Sequence, residues 1–154
     1  MNDEFSCASE HIWKYFELHA QQRMTVFNFY IAITGLLAAG IGVTLQQGGK
    51  YVLFTSLMGV FVAFISFIFW KLDQRVSILI KNAEIALQDL ECQFSNEKLR
   101  IITKDNSSHL LNLGISSSWT YGKCFRISFV IVGLTGILLA ITPFLIKVST
   151  SKYI

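Results

Sequence analysis

Charge is what this sequence has least of. Only 15% of its 154 residues are Asp, Glu, Lys or Arg, against about 25% in ordinary soluble domains. With 53% hydrophobic residues, the chain has too little polar surface to cover a water-exposed globule of this size. The same composition excludes intrinsic disorder, which needs low hydrophobicity and high charge. A single proline leaves almost nothing to break a long helix. The cysteines, Cys7, Cys92 and Cys124, are odd in number and form no CxxC pair, so free thiols in a reducing compartment are expected rather than a disulfide framework. Cys7 and His11 share a helical spacing, but no third and fourth ligand joins them, and neither metal nor cofactor is expected. There is no Gly-rich phosphate loop, nucleophile elbow or paired-carboxylate motif, so the chain is not expected to be an enzyme.

What the chain does have is three long runs free of Asp, Glu, Lys, Arg and His: Met24 to Gly49, Tyr51 to Trp70 and Ile127 to Ile146. Each is long enough for the ~20 helical residues that a hydrocarbon core requires. The expected fold class is therefore an all-α membrane protein with transmembrane helices over 26–46, 51–70 and 126–146. The first run follows a polar segment and is longer than the apolar part of a signal peptide, so cleavage is not expected. The glycines of QQGGK make the first two spans an antiparallel hairpin.

The net charge of +3 is too mild to mark a nucleic-acid coat, but its distribution is uneven. Lys14, Arg23, Lys71, Arg75, Lys81, Lys98, Arg100, Lys104, Lys123 and Arg126 fall on one side of the spans, and Lys50, Lys147 and Lys152 on the other. Because Lys and Arg stay cytoplasmic, segment 1–25 and the long segment after span two are expected inside, with tail 147–154 outside. Tyr30, Tyr51, Trp70, Trp119 and Tyr121 fall near expected interfaces, where amphipathic aromatics gather.

Both hairpin helices are expected to continue beyond the bilayer. Trp13, Phe16, Ala20, Met24, Phe27 and Ile31 recur at helical steps, with Ser9 as N-cap. Leu72, Val76, Leu79, Ala83, Ala86 and Leu90 form a coiled-coil-like seam over 71–94. Lys71, Arg75, Lys81, Glu84, Asp89 and Glu91 are expected on the solvated face. Residues 95–123 read as a loop-rich connection in which LRIIT forms a short strand or one helical turn. Pro143 falls near the outer end of the third span, where a kink or early termination costs little because few intrahelical bonds remain beyond it.

Two sets of residues are candidates for function. Small residues recur at close-packing intervals: Gly35 with Ala39, Ala38 with Gly42, Gly59 with Ala63, and Gly133 with Gly136 and Ala140. If such faces assemble several copies around an axis, Thr34, Thr44, Ser56, Ser66, Thr135 and Thr142 are candidates to line a path. The alternative use of each hydroxyl is a bond to its own helix backbone. The second set is Lys98, Arg100 and Lys104, clustered around LRIIT, as a site for a phosphate-bearing ligand, with Trp119 or Tyr121 stacking on a base. A solvated charged face is the competing reading.

The stretch HIWKYFELHAQQRMTVFNFYIAITGLLAAG, followed by FISFIFWKLDQRVSILIKNAEIALQDLE, resembles the small multi-span membrane effectors of bacterial antiphage defence modules. It looks most like the Hailong-type channel effector and, second, the retron-associated transmembrane effectors. The resemblance covers about the first 95 residues and rests on a hairpin with charged helical extensions rather than a catalytic signature. It implies a homo-oligomeric, multi-pass protein of the bacterial inner membrane that disrupts ion balance on a signal from a nucleotide, an oligonucleotide or a cytoplasmic partner. The rival expectation is a non-conducting membrane anchor that recruits a partner through its helical extensions.

Overall fold

A computed structural model describes the backbone of residues 2–47, 51–93, 96, 98, 100–105 and 120–150, and the side chains within 4–142 of that set. The architecture is all-α. Three helices carry it: α1 (Asn2–Gln46), α2 (Val52–Glu91) and α3 (Tyr121–Thr150), of 45, 40 and 30 residues. At 1.5 Å per residue each is longer than a hydrocarbon core of about 30 Å. All three are long and apolar enough to cross a membrane.

Continuity of α1 and α2 through their polar halves follows from the absence of proline there. Helix α1 begins at Asn2, so Ser9 is an interior residue rather than the N-cap. Helix α3 runs through Pro143 to Thr150 instead of ending at the proline. Proline has no N–H for the carbonyl four residues back, here that of Leu139, and the Thr142 hydroxyl donates to that carbonyl at 2.9 Å. A threonine one residue before the proline thus satisfies the freed acceptor, as hydroxyl side chains do in apolar surroundings.

The chain divides into two compact units, residues 1–24 with 74–120, and residues 25–73 with 121–154. In the first, the partly buried stripe of α1 passes through Phe5, Ser9, Ile12, Phe16, Ala20 and Arg23, stepping by three and four residues. That of α2 passes through Val76, Ile80, Ala83, Leu87 and Glu91. Of the expected α1 row, Phe16, Ala20 and Phe27 are partly buried while Trp13, Met24 and Ile31 are exposed; of the expected α2 seam, every residue but Leu72 is buried or partly buried, and Leu87 is buried as well.

The second unit holds the uncharged parts of all three helices. Its core is aromatic: Tyr30, Phe125 and Phe129 are buried, and Phe27 stacks on Phe125 with centroids 3.9 Å apart. Tyr30, expected at an interface, is fully buried. Helices α2 and α3 cross with their backbones in contact. A Cβ built on Gly59 would lie 2.8 Å from Gly136 O and from Ala140 N, and one on Gly136 would lie 2.8 Å from Gly59 O. Only glycine permits this approach. Even so, just 11%, 28% and 17% of the apolar windows of α1, α2 and α3 are buried within the chain. Most of this apolar surface faces outward, as it does where lipid or another copy is the solvent.

Candidate functional site

The hydroxyls of the membrane-length helices fall into two groups. Most are spent at contacts within the chain. Ser66 donates to Val62 O at 2.8 Å, which uses its only proton, so Tyr30 must be the donor in the 3.0 Å bond between Tyr30 Oη and Ser66 Oγ. This bond ties α1 to α2 inside the aromatic core. Toward the hairpin turn, Thr44 donates to Ile41 O at 2.9 Å and receives the Thr55 hydroxyl at 2.8 Å. Ser56 ties α2 to α3 by donating to Ala140 O at 2.8 Å. Ser56 and Ser66, expected as lining residues, are buried between helices of the single chain. Thr44, whose hydroxyl receives Thr55, also belongs to a helix contact.

Thr34 and Thr135 form the other group. Thr34 donates to Tyr30 O at 2.8 Å and Thr135 to Ile131 O at 2.9 Å, as the backbone alternative for these hydroxyls anticipated. Both residues line a groove between α1 and α3. The groove has a volume of about 520 Å³, and its walls include Thr34, Ala38 and Ile41 of α1 and Val132, Thr135 and Leu139 of α3. No charged residue lines it. On its α1 wall, Gly35 and Gly42 have nothing within 4 Å of where a Cβ would stand, and Ala38 and Ala39 beside them are exposed. The small residues therefore divide by use: Gly59, Gly133 and Gly136 of α2 and α3 join the helices of one chain, as Gly40 of α1 does against Met58, whereas Gly35, Ala38, Ala39 and Gly42 of α1 carry no such contact or are exposed.

The end of α2 builds the second site. The Asn96 side chain accepts the Lys98 N–H at 3.0 Å, and a short helical segment follows over 101–105. Within LRIIT, residues 101–103 are thus helical rather than a strand. The segment is held by Glu91. Oε1 accepts the Ile102 N–H, and Oε2 accepts the Thr103 N–H and hydroxyl, each at 2.9 Å. Glu91 is 6% exposed, a correction to its expected place on the solvated face. Burial pushes its carboxyl up, but the hydrogen bonds from Ile102 and Thr103 prevail and hold it below the ordinary carboxylate value. No local spacing announces such a cap, because donors and acceptor are eleven and twelve residues apart.

Of the expected phosphate-site residues, Lys98 and Lys104 are exposed on this segment. Arg100 is half-buried, with Nη2 3.4 Å from Cys92 O. Trp119 lies outside the described residues. Tyr121 opens α3 in the other unit, where its ring centroid is 6.4 Å from that of Phe125. The sequence reading also missed Asp73, the only acidic residue of the second unit. Its side chain is 2% exposed, and Oδ2 lies 3.5 Å from Arg126 Nε. Among the described residues, no group of three His, Cys, Asp or Glu side chains could hold a metal.

No protein-family model matches the chain, and no solved structure matches it. The chain is 97% identical over 151 residues to CD-NTase-associated protein 19 of Escherichia coli, an alignment covering 98% of this chain and 100% of that protein. The chain therefore belongs to the family of CD-NTase-associated protein 19.

Proposed function

We propose that this chain is a membrane effector of antiphage defence, a homo-oligomeric channel of the bacterial inner membrane opened by a nucleotide or oligonucleotide on its cytoplasmic side. The observation that carries the reading is the outward α1 face of Gly35, Ala38, Ala39 and Gly42, beside an uncharged groove holding the Thr34 and Thr135 hydroxyls. Three helices enclose no path, whereas copies packed through a small-residue face can enclose one. No acid or base lies within the runs, which disfavours ion-coupled carriage. The nucleotide signal is supported by the relative's name, since an NTase is a nucleotidyltransferase, and by the resemblance to defence effectors.

The ten-to-three distribution of Lys and Arg supports a cytoplasmic N-terminus and a cytoplasmic segment 71–126. Lys98, Arg100 and Lys104 are then the anion-binding candidates on the signal side. The chain itself is assigned no catalysis.

The anchor reading is favoured by a different observation. Trp13, Leu18, Ile78 and Ile85 of the first unit are each more than half exposed, which suits recruitment of a helical partner. Mass measurement of the detergent-solubilised complex, together with entry of a permeability dye into cells on induction, separates the two. A multimer and dye entry are expected. A monomer that localises a partner without leakage refutes the channel.

A further inference from the structure

The exposed charge of the second unit is all of one sign. Asp73, its sole acidic residue, is buried against Arg126, while Lys71, Lys123 and Arg126 are exposed where the uncharged runs of α2 and α3 begin or end. That leaves three cations to one already paired anion at this end.

The same two helices wall a second groove, distinct from the one between α1 and α3. It is lined by Ala63, Phe67 and Trp70 of α2 and by Val130, Leu134 and Ile137 of α3, and has a volume of about 210 Å³. It is smaller than the ~300–1,000 Å³ of sites for drug-sized ligands, and an apolar groove of that size suits a slender occupant. Its charged end is defined by the structure. Lys71 Nζ lies 5.0 Å from the Trp70 ring centroid and 5.9 Å from that of Phe67, so the two aromatic rings of the α2 wall hold the ammonium. On the other wall, Arg126 is one helical turn from Val130.

We propose that this groove binds an anionic phospholipid, with an acyl chain along the α2–α3 wall and the phosphate at Lys71. A zwitterionic lipid fills the groove equally well but brings its own cation to a site already rich in them. Arg126 neutralises Asp73, so the buried carboxylate does not oppose the phosphate. The site needs no conductance, and its test is independent of the channel reading.

The experiment is native mass spectrometry of the purified full chain titrated with phosphatidylglycerol or phosphatidylcholine of matched acyl chains. Wild type is expected to prefer phosphatidylglycerol. Lys71→Gln should lower that affinity about fivefold without changing phosphatidylcholine binding, and Lys71→Arg should restore the preference. Leu134→Trp, which fills the groove from a position 56% exposed, should weaken retention of both lipids. Equal binding of the two lipids by wild type, an unchanged preference in Lys71→Gln, or glycerol phosphate binding as tightly as the lipid overturns the proposal.

Discussion

Adding one methyl group at Gly59 should do more damage than adding one at Gly35, although both glycines lie in uncharged helices. At Gly59 the new Cβ meets Gly136 O and Ala140 N at 2.8 Å, where ordinary contact begins at 3.4 Å. The shortfall is about 0.6 Å against backbone atoms, which no rotamer change relieves. Helices α2 and α3 must separate, and the Ser56 bond to Ala140 O, at 2.8 Å, must stretch with them. Overpacking of this kind costs about 1–3 kcal/mol. Gly35→Ala meets nothing within 4 Å and should change stability of the single chain by no more than about 0.5 kcal/mol. Unfolding of the purified variants by SDS titration in mixed micelles, followed by far-UV circular dichroism, measures the difference. Equal stability of Gly59→Ala and Gly35→Ala refutes the close-crossing argument.

Two further predictions test individual polar contacts. Glu91→Gln removes the charge from the cap over 101–105 and should destabilise that segment by about 1–3 kcal/mol, read as faster hydrogen exchange at the Ile102 and Thr103 amides. Because the Glu91 carboxyl is held below its ordinary value, the stability it adds is complete above the ordinary carboxylate range and is lost as pH falls through the lowered value. Protection at those amides should follow that direction in wild type and be insensitive to acid in Glu91→Gln. Ser66→Ala leaves the Tyr30 hydroxyl without its buried acceptor and should cost roughly 0.6–1.7 kcal/mol, the range for hydrogen bonds between membrane helices. Tyr30→Phe in the same background should recover part of the loss; strict additivity in the double-mutant cycle would show that the bond carries no weight.

The three spans were legible because a bilayer demands long uncharged runs and imposes that demand on every residue of the run. The inward face of α1 was only half legible, for the same reason. Where lipid surrounds the helix, outward residues such as Leu36 and Leu53, 76% and 80% exposed, are as apolar as inward ones, so size and hydrophobicity point equally to both. Rows built from the largest residues therefore selected Trp13, Met24 and Ile31. The inward positions of the first unit include Ser9 and Arg23, which no hydrophobic template selects. Close-packing intervals nominated Gly59 and Gly136, which meet in this chain, and equally Gly35 and Gly42, which meet nothing within 4 Å; spacing cannot say which are used within one chain. Glu91 and Asp73 were missed because their partners are distant in sequence. At Pro143 the Thr142 hydroxyl satisfies the freed Leu139 carbonyl, a use that spacing alone does not reveal.

The central claim is that copies of this chain form a conducting path opened by an anionic nucleotide. Planar-bilayer recording of the purified protein, with nucleotides and oligonucleotides added to one side, tests it most directly. Discrete ligand-dependent current steps are predicted for wild type. They should disappear when Lys98, Arg100 and Lys104 are together changed to Glu, in a protein that still assembles. A silent bilayer across ligands and voltages, from protein shown to be inserted and multimeric, contradicts the account.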